Sequence, residues 1–341
     1  MIRAALALCA GLVAALCAGI AEADCAFDRV TMLSSHFDPT NANATPIPGG
    51  PIPRYVQADL TAAFALAPPF FQQQLCGLDG VFIAPQGQDS WGFRNIRDGR
   101  RYLALSLSLW KHGRAPSLSA YEDQVAQRLL HGWNGFWHIH KASPDDAPAM
   151  TVLGALAHEF GHILFYDTFV NPRGSAPNYS AFCGGTFFAQ SWRSLPPVAI
   201  TWRSYGDVAG AHRSDDVQVQ DILSALAAHR LAVRLGAARL LHRLLGLADQ
   251  TGGGRWASVF AAFSPDEDFV ETFKLFVLKN SKTPLQSLQL KIPLPDLVAT
   301  EDIAGQCRQR PVLTAKLACF AQTFCGGGTA DPCGEVCQAP H

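Results

Sequence analysis

Five residues, His158-Glu159-Phe160-Gly161-His162, lie in a run whose other members, among them Val152, Leu153, Leu156, Ile163 and Leu164, are mostly apolar. The run reads as a helix from Pro148 to about Tyr166, with proline near its first position after the acidic turn Asp145-Asp146. Helical residues four apart share one face, so both imidazoles can be aimed at a single ion. Glu159 falls one step round the helix, where it meets a metal-bound water rather than the metal. Two histidines and a glutamate turned into an apolar core are costly unless something satisfies them. Coincidence on a core helix is the competing explanation, and the product of residue frequencies gives this pattern in roughly one random chain of this composition in 140. The pattern therefore predicts a site for one zinc ion, with His158 and His162 as ligands and Glu159 as the catalytic residue.

A catalytic zinc takes three protein ligands and keeps a fourth position open. No histidine follows closely, since Asp167 to Asn171 contain none and the next is His212. After the motif only Glu267, Glu271, Glu301 and Glu335 remain among the glutamates. Glu267 and Glu271 are four apart in a predicted helix, Pro265 to Lys279, which suits one ligand and one carboxylate that steadies a ligating histidine. Ser264-Pro265-Asp266-Glu267 also reads as a capping box, in which Glu267 bonds back to the Ser264 amide. His138-Ile139-His140 offers a further pair on one strand face, although Trp133, Phe136 and Trp137 around it read as packing.

His-Glu-Phe-Gly-His followed by a helix of the form Glu267-x-Phe269-x-Glu271-x-Phe273 resembles the gluzincin group of zinc peptidases, and most closely the family of the anthrax lethal factor catalytic domain. The resemblance covers two short helices and their order. It implies that Glu267 is the third ligand and Glu271 an outer carboxylate. That family carries a tyrosine seven residues before the ligating glutamate to stabilise the oxyanion, and the position is Phe260 here. Tyr205, Tyr166 and His212 are the other candidates for an oxyanion donor.

The first residues carry Arg3, an apolar run from Ala4 to Ile20 and the small-x-small pattern Ala21-Glu22-Ala23, as in a signal peptide over 1–23. A retained anchor is the alternative, but the run is short for a membrane span and leads straight into a cleavage pattern. The mature chain is thus expected to be secreted or periplasmic, with no stable membrane anchor. Outside that segment eight cysteines remain, Cys25, Cys76, Cys183, Cys307, Cys319, Cys325, Cys333 and Cys337, an even set that predicts disulfides in an oxidising compartment. A zinc ribbon lacks the second pair it needs. Net charge is −1 and only 16% of residues are charged, which argues against a nucleic-acid partner.

The predicted fold class is α+β, a zincin-like metallopeptidase with a small mixed sheet, an active-site helix and a helical C-terminal half. The chain divides into a catalytic domain over 24–300 and a cysteine-rich, disulfide-bonded segment over 301–341. Residues 36–53 read as a surface loop, Val56 to Leu66 and Tyr121 to Leu130 as helices, Gly80 to Ala84 as a strand and 170–215 as an irregular insertion. Val217 to about Leu247 reads as a long amphipathic helix. Tyr102 to Trp110, where leucines alternate with mixed residues, is the clearest strand and the candidate edge for an extended substrate. The expected function is hydrolysis of peptide bonds in a peptide or protein substrate by a zinc-activated water. The alternatives are a zincin-fold protein that binds without cleaving, and a metal-dependent hydrolase of cell-wall peptides.

Overall fold

A computed structural model describes residues 25–38, 41, 43–129, 138–140, 146–170, 178–189, 191, 256–258, 260–262, 264–294, 297–302 and 310–325. The signal peptide expected over 1–23, the helix expected from Val217, most of the stretch 170–215, and Tyr205, His212, Cys307, Cys333, Cys337 and Glu335 lie outside the described residues.

The fold is mixed α+β. Strands β1 (Thr31–Leu33), β2 (Pro48–Gly50), β3 (Gly80–Ala84), β4 (Trp91–Arg94) and β5 (Arg101–Ser106) form one sheet in the order β2-β1-β3-β5-β4. The three inner strands run parallel, and β2 and β4 pair antiparallel at the two edges. Alternation along each strand decides what its faces meet. Val81, Ile83, Leu103 and Leu105 enter the main core, whereas Phe82, Ala84, Tyr102 and Ala104 join a second cluster with Leu33, Phe37, Trp91 and Phe93. A separate antiparallel sheet joins β6 (His138–His140), β7 (Gln289–Leu294) and β8 (Leu297–Asp302). The C-terminal half is therefore not wholly helical, and β8 runs across the boundary expected between 300 and 301.

Six longer helices are described, α1 (Arg54–Leu66), α2 (Pro69–Cys76), α3 (Leu118–Leu129), α4 (Pro148–Phe169), α5 (Pro265–Lys279) and α6 (Pro311–Cys325). Helix α4 is apolar nearly all round and buried along most of its length, as expected of a helix with neighbours on every side. It packs on β4 and β5 and against α1, α3 and α5. Two glycines set how closely it lies. A Cβ on Gly92 in β4 would stand 1.8 Å from the Glu159 carbonyl oxygen, and one on Gly161 would stand 3.1 Å from the Val270 Cα. Phe160 on the same helix packs against α2 and α5, 5.6 Å from the Phe71 ring and 5.9 Å from that of Phe273. The strand expected from Tyr102 to Trp110 ends at Ser106. The Ser106 hydroxyl accepts from the Ser108 amide there and starts a 3-10 turn, Leu107–Trp110.

Disulfides join Cys25 to Cys76 and Cys183 to Cys319, and Cys325 is disulfide-bonded as well. Cys319 thus reaches far upstream instead of pairing within the cysteine-rich end. The reason is the apolar face of α6, where Leu313, Leu317 and Phe320 are wholly buried in the main core. Lys316 on the same helix is buried and its ammonium bonds both Asp268 oxygens, at 2.8 and 2.7 Å. Among the described residues no helix is long and apolar enough to cross a membrane.

Candidate metal centre

Helices α4 and α5 cross with their polar residues facing each other. The His158 and His162 rings lie 5.0 Å apart at 82°, as two side chains one helical turn apart do when they converge. Their Nε2 atoms stand 3.9 and 3.7 Å from the Glu267 carboxylate oxygens. The donor atoms of His158, Glu159 and His162 lie within 4.8 Å of one another, as do those of His162, Asp266 and Glu267. These groups can hold a metal ion.

Helix α5 starts where its sequence says it should, with Ser264 as N-cap and Pro265 in the first turn. The Ser264 hydroxyl accepts from the Glu267 amide at 3.3 Å and donates to Asp266. Glu267 therefore serves the cap through its backbone, which leaves its carboxylate for the histidines. Its Oε2 is buried and has no hydrogen-bond partner. An orphaned carboxylate oxygen beside two imidazoles is the donor set a divalent cation completes, so these residues fit a metal.

Burial, reinforced by Asp266, Glu271 and Glu159, holds the Glu267 carboxyl well above its ordinary range. The Glu159 carboxyl is pushed up to about 7 by burial, with His158 opposing and Asp89 and Glu271 adding. His162 is pushed down to about 3 by burial and by His158, against the pull of Glu271. It is therefore a neutral imidazole, the form that binds metals. Glu271 differs. Burial alone raises it, but the Lys274 ammonium and the His158 hydrogen bond outweigh that and keep it ionised. Its Oε1 lies 2.7 Å from His158 Nδ1.

Phe260 stacks on His158, with centroids 5.7 Å apart and planes at 15°. Tyr166 sits one turn beyond His162 on α4, and burial raises its hydroxyl pKa. His138 and His140 belong to β6 in the second sheet, and Glu301 to β8. The proposed substrate edge moves, because β5 is hydrogen-bonded on both sides and offers no free edge. The edge beside α4 is β4. Sequence reasoning also missed Lys274, Glu122 and Tyr121. Lys274 had a local signal, being three residues after Glu271 on one helix face. Glu122 had none, since only folding brings α3 beside α5. Tyr121, held high by burial, has Glu122, Lys274, Glu159 and Glu271 as its charged neighbours.

Comparison with protein-family models, curated proteins and solved structures finds no match.

Proposed function

We propose that the chain is an exported, gluzincin-type zinc metallopeptidase. The observation that carries the reading is that both histidines face the Glu267 carboxylate, His158 Nε2 at 3.9 Å from the orphaned Oε2 and His162 Nε2 at 3.7 Å from Oε1. His158, His162 and Glu267 would hold the ion. Zinc bound there supplies Lewis acidity, lowering the pKa of a water and polarising a carbonyl. Glu159, a buried carboxyl poised near neutral pH, takes the proton from the attacking water and delivers it to the leaving amine. Glu271 accepts from His158 Nδ1 and fixes that ring. An extended peptide would pair with β4, the edge strand beside α4 among the described residues, through main-chain hydrogen bonds. The disulfides support an oxidising destination.

Metal content and hydrolysis together test this. Purified protein is expected to carry one zinc per chain by elemental analysis and to cleave casein or peptidoglycan peptides. Glu159→Gln should keep the zinc and lose about 100-fold or more in rate. Glu267→Ala should lose most zinc affinity, whereas Glu271→Ala should weaken it by about tenfold to 100-fold. Protein that neither contains nor takes up zinc would end the reading. One observation favours a second reading, a zincin-fold binder that does not cleave. Phe260 occupies the oxyanion-donor position without a hydroxyl. Zinc binding with equal inertness of wild type and Glu159→Gln would select it.

A further inference from the structure

Behind His158 a line of buried charges continues past Glu271. Glu271 Oε1 meets His158 Nδ1 at 2.7 Å, and its Oε2 accepts from Lys274 Nζ, also at 2.7 Å. The same ammonium donates to Glu122 Oε1 at 2.9 Å. Glu271, Glu122 and Lys274 are 1%, 6% and 7% exposed. The line crosses three helices, His158 on α4, Glu271 and Lys274 on α5, and Glu122 on α3.

We infer that Lys274 and Glu122 are positioning residues of the metal centre, acting on His158 through Glu271; the inference rests on the metal reading above. A carboxylate can swing about its last bond, and one bonded only to an imidazole does not fix that imidazole. Lys274 pins the far oxygen of Glu271, so the near oxygen stays aligned with His158 Nδ1. Glu122 in turn holds the ammonium in place. The ring is then kept in the tautomer with hydrogen on Nδ1 and a lone pair on Nε2, the atom facing Glu267. Packing alone does not account for the line. Each buried ion costs several kcal/mol of desolvation, and apolar residues of similar volume often serve stability as well or better. The three charges also sum to −1, which a cation on the other side of His158 complements.

The experiment compares wild type, Lys274→Met, Lys274→Arg and the pair Glu122→Gln with Lys274→Met, which keeps the net charge of the line and guards against simple unfolding. Two readouts are needed, the ring-nitrogen NMR signals of His158 in metal-free protein and the zinc dissociation constant by chelator competition. Wild type should show His158 as the Nδ1–H tautomer. Lys274→Met and the paired variant should mix tautomers and bind zinc about tenfold more weakly or worse. Lys274→Arg should restore both signals toward wild type. A folded paired variant with the wild-type tautomer and zinc constant overturns the inference. If wild type binds no zinc but the tautomer follows Lys274, the metal reading fails and the positioning of His158 stands.

Discussion

Ser264-Pro265-Asp266-Glu267 allows Glu267 to be a cap or a ligand, and the two roles separate only at atomic detail. The amide of Glu267 goes to the Ser264 hydroxyl, and the carboxylate goes to the histidines. Because burial holds that carboxyl well above its ordinary range, it keeps its proton at higher pH than a free glutamate. On the metal reading, an ion bound there must displace the proton, so affinity should rise with pH through the acidic range and binding should release protons there. His162, pushed down to about 3, is already neutral and contributes none. Calorimetry in buffers of different ionisation enthalpy across the acidic range measures this, and zinc binding without proton release would contradict it. The pairing of His158 with His162 was legible in the sequence because four-residue spacing on a helix is local. That Glu271 steadies a ligating histidine was also read from its spacing to Glu267, but not that the histidine is His158, since 113 residues separate the two.

At the level of elements, the closeness of α4 to β4 is set by a residue with no side chain. Gly92 has the Glu159 carbonyl against it where a Cβ would be. Gly92→Ala must push strand and helix apart, and should cost about 1–3 kcal/mol or more by overpacking, with weaker zinc binding as α4 shifts. Gly154→Ala on the same helix meets only ordinary contacts, the nearest at 3.6 Å. It should be neutral or stabilising by up to about 1 kcal/mol through helix propensity. Urea denaturation of both variants decides, and an unaffected Gly92→Ala would show that the strand is free to yield. Helices α1, α4 and α5 and strand β3 were readable from periodicity and caps. Strand β4 was not, because Trp91-Gly92-Phe93-Arg94 is too short for a pattern. Strand β5 was read too long, since the leucine alternation continues into a 3-10 turn that Ser106 begins.

Across the whole molecule the C-terminal helix is tied into the core by Phe320, by the Lys316–Asp268 pair and by Cys183–Cys319. That disulfide closes a loop of 136 residues. Chain-entropy arguments give such a crosslink about 5 kcal/mol, with roughly 2–5 kcal/mol usual when a native one is lost. Replacing both cysteines by alanine should lower the urea midpoint accordingly while leaving zinc content unchanged, and a midpoint equal to wild type would assign α6 to packing alone. By itself the sequence determined the motif helix, the capped helix carrying Glu267 and Glu271, and the presence of disulfides, all of which follow from local spacing or residue count. Only the tertiary structure decided that Cys25 pairs with Cys76 and Cys183 with Cys319, which strands end the sheet among the described residues, and how Glu122 and Lys274, 152 residues apart, come to stand behind His158. Such contacts depend on how helices and strands cross in space, and short-range periodicity carries no record of that.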